Sequence, residues 1–91
     1  MIATTTRWIA GGDLAGRVEI RTSCLSDGLW VADEPLSGIF GTGQTLAEAV
    51  MDLRAALVDF RDALREVRDS LAPQLRRTLT LLESLLNDAR A

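Results

Sequence analysis

The chain has no histidine, no tyrosine and no lysine, a single cysteine, two prolines, and two tryptophans and two phenylalanines as its only aromatic residues. Each shortage removes a class of function. Without histidine there is no Ser-His or Cys-His nucleophile and none of the usual general bases of ribonucleases. The carboxylate pairs that remain, Asp33-Glu34 and Asp59/Asp62, do not converge. Neighbours on a strand point to opposite faces, and the second pair sits among other helix-surface charges. No enzyme activity, metal or cofactor is expected. Without lysine, the run Gly38-x-x-Gly41-x-Gly43 ahead of a helix lacks the phosphate-binding residue of a P-loop and reads as turn chemistry. One cysteine, Cys24, cannot form an intrachain disulfide. Inside an alternating strand it reads as a small buried hydrophobe of a cytoplasmic protein.

No apolar run reaches the ~18 residues of a membrane span, and no leader-like pattern opens the chain. A soluble cytoplasmic protein is therefore expected. Ten basic residues, all arginine, face thirteen acidic ones for a net charge of −3. That balance disfavours nucleic acid, whose binding draws on a basic surface, and Arg76-Arg77 is the only adjacent basic pair. No helix-turn-helix segment can be found, so no DNA binding is expected.

What is present is ordered. Thr4 to Ala10 is β-prone and stops at Gly11-Gly12-Asp13, where the backbone can turn. From Arg17 to Leu25 the alternation is clean, with Val18, Ile20, Thr22 and Cys24 on one side and Arg17, Glu19, Arg21 and Ser23 on the other. A hairpin joining these two runs antiparallel is predicted, and the register decides on which face Trp8 falls. Asp27-Gly28 is a turn, Leu29 to Ala32 a short strand ended by Pro35, and Ile39-Phe40 a further strand between glycines. Thr45 with Glu48 three residues later forms a capping box that starts a helix.

That helix is the longest regular signal. Leu46, Val50, Leu53, Leu57, Phe60, Leu64, Val67 and Leu71 alternate four and three apart, a seam of coiled-coil type. A helix over 45–69 would be about 37 Å long at 1.5 Å per residue, against about 17–20 Å for a short strand, so part of it must overhang the sheet. A break is placed near Asp69-Ser70, with Ser70 as N-cap and Pro73 in the first turn of a second helix over 70–90. A single long helix kinked at Pro73 is the alternative. The fold class is α+β, one domain over 1–91. A small antiparallel sheet of three or four strands (4–44) carries the long helix on one face, followed by the second, C-terminal helix.

Asp27, Gly28, Trp30, Pro35, Leu36, Gly38, Gly43, Thr45, Glu48 and Ala49 together resemble the HicB-like family, the antitoxin side of bacterial toxin–antitoxin pairs. The family shows an Asp-Gly turn before an aromatic-bearing strand, a Pro-Leu-x-Gly corner, a Gly-x-Thr entry and a Glu-Ala pair opening the helix. Ser37 stands where the family has a second proline, and the segment after the helix does not read as the family's next strand. The resemblance implies a protein-interaction domain that binds and occludes a small basic ribonuclease toxin, a partner that suits the acidic balance. Partner contacts are expected at Trp30, Asp33, Glu34 and Leu36, with Trp30 favoured over Trp8. The alternative function is a stand-alone homo-oligomerising scaffold. Because a chain of this length buries a modest core, a homodimer or higher homo-oligomer is expected. Its interface would run through Phe60, Leu64 and Val67 and the C-terminal leucines Leu75, Leu79, Leu82 and Leu86.

Overall fold

A computed structural model describes residues 3–86 of the chain. Four strands, β1 (Ala3–Ile9), β2 (Val18–Cys24), β3 (Trp30–Asp33) and β4 (Phe40–Gly43), pair antiparallel in the order β1-β2-β3-β4. Two helices follow, α1 (Leu46–Glu66) and α2 (Pro73–Leu85), separated by a single 3₁₀ turn over Arg68–Ser70. This is the predicted α+β class, with the N-terminal β-prone run supplying the outermost strand. The last part of the expected second helix, 87–90, lies outside the described residues.

Each connection follows from its residues. Gly28 closes the β2–β3 hairpin with φ of +89°, a conformation that strains any side chain bearing a Cβ, and Asp27 Oδ1 accepts the Leu29 N–H at 3.1 Å. Thr45 caps α1 as expected, its Oγ1 accepting from Glu48 N–H at 3.1 Å. The Glu48 carboxylate answers one residue earlier than a standard box, accepting from Gln44 N–H at 2.9 Å. The expected cap at Ser70 is not formed. Ser70 lies in the 3₁₀ turn, and Ala72 is the N-cap of α2 with ψ of 154° and no side-chain bond. The cause is Pro73, which holds the residue before it out of the helical region and itself fits the first helical position. The chain therefore breaks into two helices and is not a kinked one.

The sheet packs α1 against one face only. Register places Thr5, Thr22, Ala32 and Gly41 in one cross-strand row. Opposed residues share a face, so Val18, Ile20, Thr22 and Ala32 all point toward the helices, and all are buried. Beneath α1 the row ends in glycine for a steric reason. A Cβ on Gly41 would overlap the Leu53 amide nitrogen and stand 2.7 Å from the Ala49 carbonyl oxygen. Gly43 is equally constrained, since its Cβ would lie 2.5 Å from Glu48 Cβ. Its need for glycine comes from this close approach and not from a positive φ, which it does not have.

The second helix returns along α1 and closes the far end of the core. Leu64, Leu71, Leu79, Leu82 and Leu86 are buried with Leu53, Leu57 and Ala49 in one cluster, and Glu83 ties the helices by accepting from Arg65 at 2.9 Å and Arg68 at 2.8 Å. The end of α2 is stitched to the β1–β2 connection. Leu86 forms a bridge with Leu14, and Ala15 N–H donates to the Leu85 carbonyl at 3.0 Å. Arg54, from the middle of α1, holds the same connection by donating to the carbonyls of Ala10 (2.8 Å) and Gly11 (3.3 Å).

The seam over α1 is buried only in part. Phe60 and Val67 stay 37% and 50% exposed, while Ala49, one position off the seam, is fully buried. A seven-residue repeat drifts about 20° per heptad on a straight helix, so the Leu53, Phe60, Val67 row rotates away from its cover, while the Leu57, Leu64, Leu71 row stays buried. Leu75 on α2 is left 40% exposed for want of a facing surface.

Candidate protein interface

Among the described residues the sheet's second face has no layer over it. Register Trp8↔Glu19 and Arg21↔Asp33↔Phe40 places Trp8, Glu19, Arg21, Asp33 and Phe40 there. Trp8 is 56% and Phe40 60% exposed. The Arg17 guanidinium lies 5.4 Å from the Trp8 ring centroid, within range of a cation–π contact. Arg21 and Asp33 pair across β2 and β3 at 2.6 Å. The result is an aromatic and charged surface with both signs balanced.

Beside it runs a groove of about 440 Å³ lined by Trp8, Arg17, Val18, Glu19, Arg21, Glu34, Pro35, Leu36 and Leu85. Its origin is the unequal length of two strands. β2 runs seven residues and β3 only four, because Glu34 folds the chain away after Asp33. Glu34 is 1% exposed, its Oε1 accepting from Ser37 N–H at 2.6 Å and its Oε2 from Leu36 N–H at 3.0 Å. A buried carboxylate is tolerable only with such partners. Ser37, where the resembled family has a second proline, donates an N–H that proline does not possess.

The four expected partner contacts therefore separate. Leu36 is 74% exposed and borders the groove, and Asp33 sits on the open face in its ion pair. Glu34 lies at the wall of the groove but is buried, its carboxylate consumed by its own turn. Trp30, the expected contact, is partly buried against the core on the helix side, and Trp8 is the more exposed tryptophan. Of the expected oligomer residues, Leu64, Leu79, Leu82 and Leu86 are spent within the single chain, leaving Phe60, Val67 and Leu75 outside. Phe40 and Arg17 were not singled out from sequence. The alternation of β2 placed Arg17 on the open face beforehand, but Phe40 needed the pairing of β4.

The two edges of the sheet differ. Leu25 N–H donates to the Leu29 carbonyl at 2.8 Å. Alternation from that pair makes Ser23/Val31 and Arg21/Asp33 the bonded pairs between β2 and β3. On β2 it is then Thr22, Ile20 and Val18 that bond toward β1, to Thr5, Arg7 and Ile9. Thr4, Thr6 and Trp8 direct their peptide groups outward. On the opposite edge, Glu34 N–H to the Ile39 carbonyl at 2.9 Å starts the same alternation and leaves Phe40, Thr42 and Gln44 outward. Asp52 Oδ2 accepts the Thr42 N–H at 2.9 Å and Glu48 Oε1 the Gln44 N–H at 2.9 Å. Among the described residues nothing does the same for Thr4, Thr6 or Trp8.

Among the described residues no cluster of three or more His, Cys, Asp or Glu side chains is placed to hold a metal ion, and no helix is long and apolar enough to cross a membrane. Comparison of the chain with protein-family models, with curated proteins and with solved structures returns no match.

Proposed function

We propose that this chain is a protein-interaction domain of HicB-like antitoxin type, acting in the bacterial cytoplasm, which binds and occludes a small basic ribonuclease toxin. The observation that supports this most is the uncovered sheet face. Two half-exposed aromatic residues, Trp8 and Phe40, flank the Arg21–Asp33 pair, and tryptophan and arginine are the residue types that dominate binding energy at protein interfaces. The net charge of −3 suits a basic partner, since opposite charge accelerates encounter and rejects wrong partners. The contacts under this reading are Trp8, Arg17, Arg21, Asp33, Leu36 and Phe40.

Titration calorimetry against a short basic protein encoded beside this gene tests the reading. Tight one-site binding with loss of ribonuclease activity is expected, and Trp8→Ala should weaken it by about 2 kcal/mol. A neighbouring basic protein that shows no binding at 50 µM chain would sink the proposal. The second reading, a stand-alone homo-oligomerising scaffold, is favoured by the uncapped β1 edge.

A further inference from the structure

We propose that β1 is a self-pairing edge, which joins two copies of this chain across a two-fold axis through Thr6 into one continuous eight-stranded sheet. The inference does not rest on the antitoxin reading, because it concerns the edge of the sheet and not its open face.

The strand carries few of the features by which exposed edges are kept from pairing. It is seven residues long with no proline and no lysine, and its one charge, Arg7, turns inward to donate to Thr22 Oγ1 at 3.2 Å. Short edges, bulges, prolines, lysines and inward-pointing charges are the usual protections, of which β1 has only the last, in Arg7, and the β4 edge of this same sheet shows another in the Asp52 and Glu48 carboxylates that occupy the outward amides of Thr42 and Gln44.

The occupant is a second copy because the strand is complementary to itself. Two antiparallel copies can bond only where outward-facing residues meet outward-facing residues, which restricts the pairing to Thr4, Thr6 and Trp8. Thr6 is the middle residue of Ala3–Ile9. A two-fold axis there pairs the whole strand at once, Thr6 with Thr6 and Thr4 with Trp8, and every outward group of both edges finds a partner. Any other symmetric register leaves at least one of the three unpaired within Ala3–Ile9. Side chains agree with this register. Trp8 of one copy lies over the small Thr4 of the other, threonine faces threonine on the axis, a favourable cross-strand pair, and Arg7 stands opposite Thr5, so no charge meets its like directly. The two open faces become one surface carrying both Trp8 rings, which the partner-binding reading could use but does not require.

A residue on the axis meets its own copy, and that property gives the test. Wild-type protein, Thr6→Glu and Thr6→Lys are run separately in sedimentation equilibrium from 5 to 500 µM, and the two variants are then mixed in equal parts. Circular dichroism melts establish that each is folded, which is expected because the Thr6 side chain is exposed. The expected result is a dimer for the wild type, association weakened at least tenfold in each variant alone, and dimer restored in the mixture as glutamate meets lysine. Amide exchange adds a second measurement that survives if a variant misfolds. Thr4, Thr6 and Trp8 of the wild type should slow with rising concentration while Thr42 does not change. A wild type that is monomeric throughout this range overturns the proposal. So does a dimer that persists unchanged in both Thr6 variants, or one that Phe60→Asp abolishes while Thr6→Glu leaves it intact.

Discussion

The two outer strands of this sheet face the same problem and answer it differently. At β4 the outward amides of Thr42 and Gln44 are taken by Asp52 and Glu48, and the strand is short. At β1 nothing among the described residues covers the outward groups of Thr4, Thr6 and Trp8 in this way, and the strand is long. The difference comes from chain connectivity. α1 leaves directly from β4 through a capped turn, so its first carboxylates necessarily hang over that edge. β1 lies across the sheet, where Ile9 packs on the core and Arg54 of α1 reaches the carbonyls of Ala10 and Gly11 just beyond the strand. An edge is capped here by the element that follows it in sequence, and among the described residues β1 has no such neighbour.

The largest expected effect comes from undoing the β4 side. Gly41→Val would drive side-chain carbons into the Leu53 and Ala49 backbone, which no rotamer change relieves. A loss of about 3 kcal/mol or more is expected, enough to unfold much of a small domain. Thermal denaturation followed by circular dichroism checks it, and a melting temperature equal to the wild type would mean that β4 is not clamped against α1. Asp52→Ala is a milder change that turns the sealed edge toward the condition of the bare one. It should cost about 1 kcal/mol and speed exchange of the Thr42 amide, leaving β1 as before. Unaltered exchange at Thr42 would show that the carboxylate is not its cap. Smallest is Arg21→Ala on the open face. The pair with Asp33 is half exposed on the arginine side, so stability should move by no more than about 0.5 kcal/mol, whereas any partner held on that face should bind less tightly. A stability loss several times larger in urea titration would mean that this face belongs to the folding core.

Much of the fold was legible because its causes are local. The alternation Val18, Ile20, Thr22 announces a half-buried strand whatever surrounds it. Thr45 and Glu48 mark a helix start, since the donors they satisfy lie within one turn. The Ser70 cap was misjudged for an equally local reason, the restriction that Pro73 imposes on Ala72, which a reading of cap preference alone passes over. The candidate interface was less legible. Nothing in the neighbourhood of Trp8 or Trp30 distinguishes them. Trp8 pairs with Glu19 and Trp30 with Cys24, and a slip of one residue in the β1–β2 pairing would move Trp8 to the helix side.

By itself the sequence determined which segments are strands and helices, where α1 begins, and that one face of the β2 strand is apolar. These depend on spacing, capping and turn residues within a few positions of one another. The tertiary structure decided which tryptophan is exposed and that the Glu34 carboxylate is withdrawn into its own turn. It also decided that Leu79 and Leu82 of α2 are spent inside the chain, and that among the described residues the outward amides of Thr42 and Gln44 are capped while those of Thr4, Thr6 and Trp8 are not. Each of these depends on register and on which element lies over which, quantities set by contacts between residues far apart in the chain, where a shift of one position reverses the outcome.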